Sequence, residues 1–390
     1  MKGRYWWVIL GVTVFLATAI LIDWSGLVFE KGLQARVSSA SPDEELINLR
    51  ACDPTRGSYS GPIVPDLNIT SSEIASGDSK PAEKVPENAW STRAGFGISA
   101  STNPEYWAQL LGSGWFIDWN VRTGSPINNL DHWQMIRVHE DCISPSLDVI
   151  QSAAAHFPGQ IWIIGNEPDV IWQDNVEAAK YATIYHDLYW MIKSSDPTAL
   201  IAVGGVSQAT ALRLHYLDQV LQTYQNLYHE PMQVDWWTVH GYVLREEKGS
   251  WGVDIPPGID ATQGELREVG DHGRIDLFEA QLRSFRQWMA DHRYQNTPLA
   301  LTEFGILMPS SYGFPDEAIA NYLEQTFVWL SQVQDVAIGN PNDEYHLVQK
   351  WAWFSISDPT YAASDLGDLS NGKLTSIGER FRNTVFSFIP

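Results

Sequence analysis

Ile161-Trp162-Ile163-Ile164-Gly165-Asn166-Glu167-Pro168-Asp169 sets a short apolar run directly against an amide and a carboxylate. It reads as a buried strand that delivers Asn166 and Glu167 into the loop at its carboxyl end. Leu299-Ala300-Leu301-Thr302-Glu303-Phe304-Gly305 repeats the arrangement, with Glu303 in the place of Glu167. A carboxylate inside such a run is costly by several kcal/mol unless it is paired or put to use. Either glutamate alone also reads as a structural ion-pair partner. Two of them at matching ends of separate strands point to chemistry.

Working outward from these runs, short apolar or aromatic segments alternate with longer amphipathic ones from Trp90 to the carboxyl terminus, as in repeated βα units around a parallel sheet. Eight strand-like runs are read: Phe96–Ser101, Trp115–Asn120, Trp133–His139, Ile161–Asn166, Leu200–Val206, Val234–Tyr242, Leu299–Gly305 and Val348–Ser355. Between them, Val176–Lys193, Ile275–His292 and Asp316–Val333 carry apolar residues at helical spacing. Strand followed by helix, eight times, predicts an α/β fold: a closed (β/α)8 TIM barrel over 91–390 with its chemistry at the carboxyl ends of the strands. Glu167 and Glu303 then fall on the fourth and seventh strands. An open doubly wound sheet would show a glycine-rich phosphate turn after its first strand, and the chain has neither that motif nor a P-loop.

The chain has 390 residues, 44% of them hydrophobic and 12% aromatic, enough for a large core. Its formal charge of -22 repels polyanions, which excludes nucleic acid as a natural partner and is compatible with a neutral substrate. Eighteen Trp supply flat amphipathic faces of the kind that stack on sugar rings, although most are expected in the core or at its rim. At the amino terminus, Lys2 and Arg4 precede an apolar run from Tyr5 to Ile22. Its length, roughly 27 Å as a helix, predicts an uncleaved membrane anchor or a cleaved signal segment over 1–23. On that reading the rest of the chain is extracytoplasmic, either anchored to the membrane through this segment or secreted. Residues 24–90, rich in Ser, Pro, Gly and acidic groups, read as a flexible linker. Cys52 in the linker and Cys142 in the following domain either pair outside the cytoplasm or remain as two thiols.

Two carboxyl groups facing one sugar suit glycoside hydrolysis, in which one protonates the leaving oxygen and the other attacks the anomeric carbon. Retention of configuration requires them roughly 5 Å apart. Glu167 is expected as acid/base, its pKa raised by burial and by the charge of Glu303, and Glu303 as the ionised nucleophile.

Asn166-Glu167-Pro168 and Thr302-Glu303-Phe304 resemble the signatures of clan A (4/7 superfamily) glycoside hydrolases, over about residues 93–385. The stretches 115–120, 165–169, 239–242, 351–354 and 371–378 are similar to the Asl-like catalytic domains grouped with glycoside hydrolase family 128, whose known members are endo-β-1,3-glucanases. Family 39 shares several of these features. The resemblance implies that Asn166 contacts the sugar 2-hydroxyl and that a Trp at the mouth of the eighth strand forms the floor under the reacting sugar. Trp353 is the first choice for that floor and Trp351 shares its face. His240 and Tyr242, two apart on the sixth strand, share one face, from which Tyr242 reaches Glu303. Trp119 would line a neighbouring subsite, Arg137 would hold Glu167 or Glu303 in place, and the insertion Arg245–Gly273, with Trp251, would overhang the cleft.

Metal-dependent hydrolysis by His139, Glu140 and Asp141 is disfavoured, because adjacent strand residues point to opposite faces. No metal site or cofactor is therefore expected, and the expected partner of a monomeric chain is a β-linked carbohydrate. A barrel that only binds polysaccharide, and a transglycosylase using the same glycosyl-enzyme intermediate, remain the alternative readings.

Overall fold

A computed structural model describes residues 49–53, 91–99 and 102–388. The elements run β1 (Arg50–Ala51), β2 (Ala94–Gly97), α1 (Pro104–Leu111), β3 (Trp115–Ile117), β4 (Asp131–Val138), β5 (Cys142–Ser144), α2 (Leu147–His156), β6 (Ile161–Ile164) and α3 (Ala178–Ser195). They continue β7 (Leu200–Val203), α4 (Ala211–Tyr228), β8 (Trp237–His240), α5 (Ile275–Asp291), β9 (Leu299–Phe304), α6 (Asp316–Gln332), β10 (Lys350–Trp353), β11 (Gly367–Asp368), β12 (Lys373–Leu374) and α7 (Ser376–Phe386). Each of the eight sequence runs contains one of the strands β2, β3, β4, β6, β7, β8, β9 and β10, to within a few residues at the ends.

Helix starts follow local chemistry. Asn103 caps α1 by accepting from the backbone N–H of Glu105 and Tyr106, with Pro104 following where its missing N–H costs nothing. Thr375 caps α7 through Gly378 N–H.

Parallel pairing runs β8-β9-β10-β2-β3-β4-β6-β7, so the carboxyl ends of these strands gather at one end of the sheet. The inner face of its curve is filled by Trp115, Ile117, Trp133, Met135, Ile163, Ala202, Ala300 and Ala352. Bulky rings from β3 and β4 lie in the same cluster as alanines from β7, β9 and β10, large side chains packing against small ones. The intervening residues, such as Phe116, Trp162, Ile164, Val239 and Leu301, belong to the larger core formed with the helices.

The expected closed (β/α)8 barrel is corrected on three points. The sheet is mixed, because β5 runs antiparallel to the end of β4 and β1 pairs with β5. As a continuous ladder it is incomplete, its path from β1 to β8 sweeping 215° with edges 24 Å apart. No ladder joins β7 to β8. They meet through the isolated bridges Ala202–Trp236 and Val206–Val239, on either side of Gly204-Gly205, where glycine interrupts the strand. Thirdly, residues 118–130 between β3 and β4 form no α-helix, so seven α-helices rather than eight are present among the described residues. That stretch holds Asn120, Gly124, Pro126, Asn128 and Asn129, which favour turns over a helical period.

Within the expected linker, β1 joins the sheet, and of the two alternatives for the cysteines the disulfide Cys52–Cys142 is the one formed. The apolar run 5–22 and the anchor or signal segment expected there lie outside the described residues. Among the described residues no helix is long and apolar enough to cross a membrane. The longest, α3 and α4, interrupt their apolar positions with charged and polar groups such as Lys180, Asp187 and Lys193, or Arg213 and Asp218. Membrane attachment through the N-terminal segment, and the transmembrane, membrane-anchored character drawn from it, thus find no spanning helix among the described residues and are not carried further.

Candidate active site

Glu167 directly follows Asn166 beyond β6, with its backbone in the left-handed region (φ 45°). A non-glycine residue rarely adopts that conformation, and Trp119, just past β3, adopts it too (φ 56°). Such backbones persist only where the surroundings enforce them. Here Glu167 N–H donates to Gly205 carbonyl at 3.0 Å.

Glu303 reaches the cleft through a bulge. Along β8 and β9, Val239 pairs with Leu301 but His240 pairs with Glu303, which leaves Thr302 as the extra residue. Simple alternation would place Glu303 opposite to Thr302 and on the same side as Leu301, toward the helices. With the bulge, Leu301 and Phe304 both pack in the helix-facing core while the carboxylate turns inward.

The two carboxyl groups and His240 converge. Each of the three side chains offers one donor or acceptor atom, and these atoms lie within 4.8 Å of one another. His240 Nδ1 is 2.8 Å from Glu167 Oε1, and its Nε2 is 3.6 Å from Glu303 Oε1. Trp119 Nε1–H donates to Glu303 Oε1 at 2.5 Å, and Tyr242 O–H donates to Glu303 Oε2 at 3.3 Å. Glu167, Glu303, His240 and Tyr242 are all buried. Such a trio has donor types able to hold a cation, but in it one acid is hydrogen-bonded to the imidazole and the other lies beside its far nitrogen.

Burial is the largest influence on each group. Together with the charges of Asp169 and Asp174, and against those of Arg213 and Arg137, it raises Glu167 to about 8. Glu303 is also raised by burial and by Glu167, but His240 and the Trp119 hydrogen bond pull it down. His240 is held below its ordinary range by burial, and so is neutral at pH 7. A neutral imidazole has one donor and one acceptor nitrogen. The charge pattern is self-consistent if Nδ1 accepts from protonated Glu167 and Nε2–H points toward ionised Glu303.

The other expected residues divide into two sets. Asn166 sits beside Glu167, its side-chain Oδ1 buried with no hydrogen-bond partner. Arg137 contacts neither glutamate. It donates to Asp174 at 2.6 Å and to Gln173 at 3.0 Å, and Asp174 in turn accepts from the N–H of Asn166 and Val138. It therefore braces the loop that carries Asn166 and Glu167.

Trp351 and Trp353 do share a face of β10, but it is the outer one. Trp353 is fully buried, packs edge-on against Phe304, and donates to Ser364 carbonyl, while Trp351 packs on Phe327. The inner position of β10 is Ala352, and two residues on comes Phe354, whose ring meets Trp119 at 5.6 Å and Tyr361 at 6.3 Å. This half-buried aromatic trio beside Glu303 stands where the sugar floor was sought. Strand parity counted from Ala352 would have found Phe354; the pull of the tryptophans obscured it.

The insertion after β8 packs against the domain, with Glu246 fully buried against Arg213 and Trp251 partly buried on the main core. His139, Glu140 and Asp141 diverge, to the Asp174 carbonyl, the Glu177 N–H and Arg50.

No family model matches the sequence, and no curated protein matches it. Solved structures do. One is a GH128 (subgroup I) endo-beta-1,3-glucanase from Amycolatopsis mediterranei in complex with laminaritriose, at 17% identity and a TM-score of 0.50, covering 75% of this chain and 100% of that one. Another is a GH128 (subgroup II) endo-beta-1,3-glucanase from Sorangium cellulosum, at 15% identity and 0.50, covering 75% and 98%. A third is a GH128 (subgroup III) curdlan-specific exo-beta-1,3-glucanase from Blastomyces gilchristii in complex with glucose, at 16% identity and 0.50, covering 74% and 97%. At these identities the likeness is one of fold, and it spans nearly the whole of each of those catalytic domains.

Proposed function

We propose that the chain is a retaining glycoside hydrolase acting on β-linked glucan, with β-1,3-linked chains the first substrate to try. The observation that carries this reading is the Glu167–His240–Glu303 cluster, two buried acids from the carboxyl ends of β6 and β9 with atoms within 4.8 Å of each other. Carboxyl groups about 5 Å apart leave no room for a water between the second carboxylate and the anomeric carbon, which favours double displacement over inversion. The fold shared with β-1,3-glucanases supports the substrate class, and the wider kinship with clan A belongs to the same proposal.

In the first step a Glu303 oxygen attacks the anomeric carbon as the glycosidic C–O bond breaks, and the Glu167 proton passes to the leaving oxygen. A carboxyl held near 8 carries that proton at neutral pH. Loss of the proton leaves Glu167 as carboxylate, ready to take a proton from water. The resulting hydroxide oxygen attacks the anomeric carbon and releases Glu303. Trp119 and Tyr242 hold the Glu303 oxygens in place, and the unpartnered Asn166 Oδ1 is available to a sugar hydroxyl. Phe354, Trp119 and Tyr361 give the apolar face of a pyranose ring something to lie on.

The disulfide suits an oxidising compartment, hence an extracytoplasmic site of action. Incubation with β-1,3-glucan, β-1,4-glucan, xylan and mannan, with the product anomer followed by proton NMR, tests the proposal. Release of β-anomer from β-1,3-glucan supports it, and inversion or inertness toward all four polysaccharides rejects it. An acceptor sugar added to the same assay separates hydrolysis from transglycosylation.

A further inference from the structure

Two residues beyond Glu167 a second buried cluster begins. Asp169 and Arg213 are fully buried and form an ion pair at 3.1 Å, and the other side of the Arg213 guanidinium pairs with fully buried Glu246 at 2.8 Å. Arg213 also donates to Ser207 Oγ and to the carbonyls of Val253 and Asp254, while Ser207 donates to Asp169 through both its N–H and its hydroxyl. The first turn of α4 is thereby tied to the loop of Glu167 on one side and to the segment after β8 on the other. Such a satisfied network is rigid. Its carboxylate nearest the cleft is two residues from the proposed proton donor.

Building on the hydrolase reading, we infer that Asp169, clamped by Arg213 against Glu246, is a positioning residue: it fixes the Glu167 loop and sets the charge that the Glu167 carboxyl experiences. The groups facing Glu167 are Arg137 from β4, Asp169 and Asp174 from its own loop, Arg213 from α4, and His240, Tyr242 and Glu303 from the β8 and β9 side. Of the charges acting on it Asp169 is the strongest, and it favours the protonated acid. With Asp169 neutral, the remaining cations Arg213 and Arg137 favour ionisation, so the proton donor is lost at lower pH.

The test is the pH profile of kcat/KM with laminarihexaose, whose poor leaving group requires proton donation, beside an aryl β-glycoside, whose leaving group does not. Asp169→Asn is expected to move the alkaline limb on laminarihexaose down by about one pH unit, and to leave that on the aryl glycoside where it was. Thr210→Val removes the hydroxyl that bonds Glu246 without changing charge, and is expected to lower the melting temperature with the limb unmoved. If Asp169→Asn does not fold, Glu246→Gln takes its place, with a smaller shift in the same direction because the charge of Arg213 is then less neutralised. An unmoved limb in the folded charge variant, or an equal shift in Thr210→Val, overturns the inference. Absence of activity from the unaltered enzyme on both substrates overturns the hydrolase reading instead.

Discussion

Two charged clusters lie buried side by side behind the carboxyl ends of β6 and β8. In the first, Asp169, Arg213 and Glu246, the guanidinium sits between two carboxylates and meets a hydroxyl and two carbonyls besides. In the second, Glu167, His240 and Glu303, two acids share one neutral ring, His240 Nε2 has no hydrogen-bond partner, and neighbouring Asn166 Oδ1 has none either. Buried polar groups are normally satisfied. The closed cluster holds the structure together, whereas the open one keeps bonding capacity for something that arrives from outside. The disparity in hydrogen bonding, rather than burial alone, separates scaffold from site.

The largest effect expected in the open cluster is on activity. Glu303→Ala and Glu167→Ala should each lower kcat on laminarihexaose by more than roughly 10³-fold. Azide should restore turnover of an aryl β-glycoside in only one of the two. Equal activity in both variants and the parent breaks the comparison at once.

The largest effect in the closed cluster is on stability. Arg213→Ala strands two buried carboxylates and should cost about 3–5 kcal/mol in denaturant unfolding. Glu167→Gln should do the reverse at alkaline pH. The folded protein holds the Glu167 proton up to about 8, whereas the unfolded chain releases it near 4.5. Between those values the native state binds more protons, so stability falls as pH rises. Glutamine removes that loss, and its advantage over the parent should grow from pH 5 to pH 8 by about a few kcal/mol. Thermal melts at the two pH values measure it.

A smaller effect belongs to the donors that keep Glu303 ionised. Trp119→Phe removes the hydrogen bond that lowers the Glu303 pKa, so the acid limb of kcat/KM should move to higher pH and kcat should fall by about tenfold or more.

The smallest effects separate two aromatic sets. Trp353→Phe opens space behind β10 and should cost about 1–3 kcal/mol of stability with KM unchanged. Phe354→Ala should raise KM for the glucan several-fold with little change in melting temperature. Exchange of these two phenotypes would mean that the outer tryptophan, and not Phe354, meets the sugar.

How far these regions were legible in the sequence depended on the range of the interactions. The strands were legible because their apolar runs are bounded by Gly, Pro and polar residues, and Glu167 and Glu303 stood out as acids ending two of them. His240 and Tyr242 followed from period-two alternation, and the structure places both beside the acid pair. The same alternation misled on β10, since Trp351 and Trp353 share a face that turns outward and Ala352 marks the inner one. The bulge at Thr302 was invisible because it exists only against the register of β8. Ring closure and an eighth helix were extrapolated from repetition, and the Gly204-Gly205 break and the turn-rich 118–130 stretch defeated both. The Asp169–Arg213–Glu246 cluster joins residues far apart in sequence, and no local pattern announces it.

The most direct measurement of the central claim is trapping of the intermediate. The described domain, incubated with a 2-deoxy-2-fluoro β-glucosyl or β-laminaribiosyl donor bearing a good leaving group, should gain one glycosyl unit by intact-mass spectrometry. Peptide sequencing should place that unit on Glu303. A label on Glu167 or elsewhere, or turnover of glucan to the α-anomer with no label at all, would contradict the account.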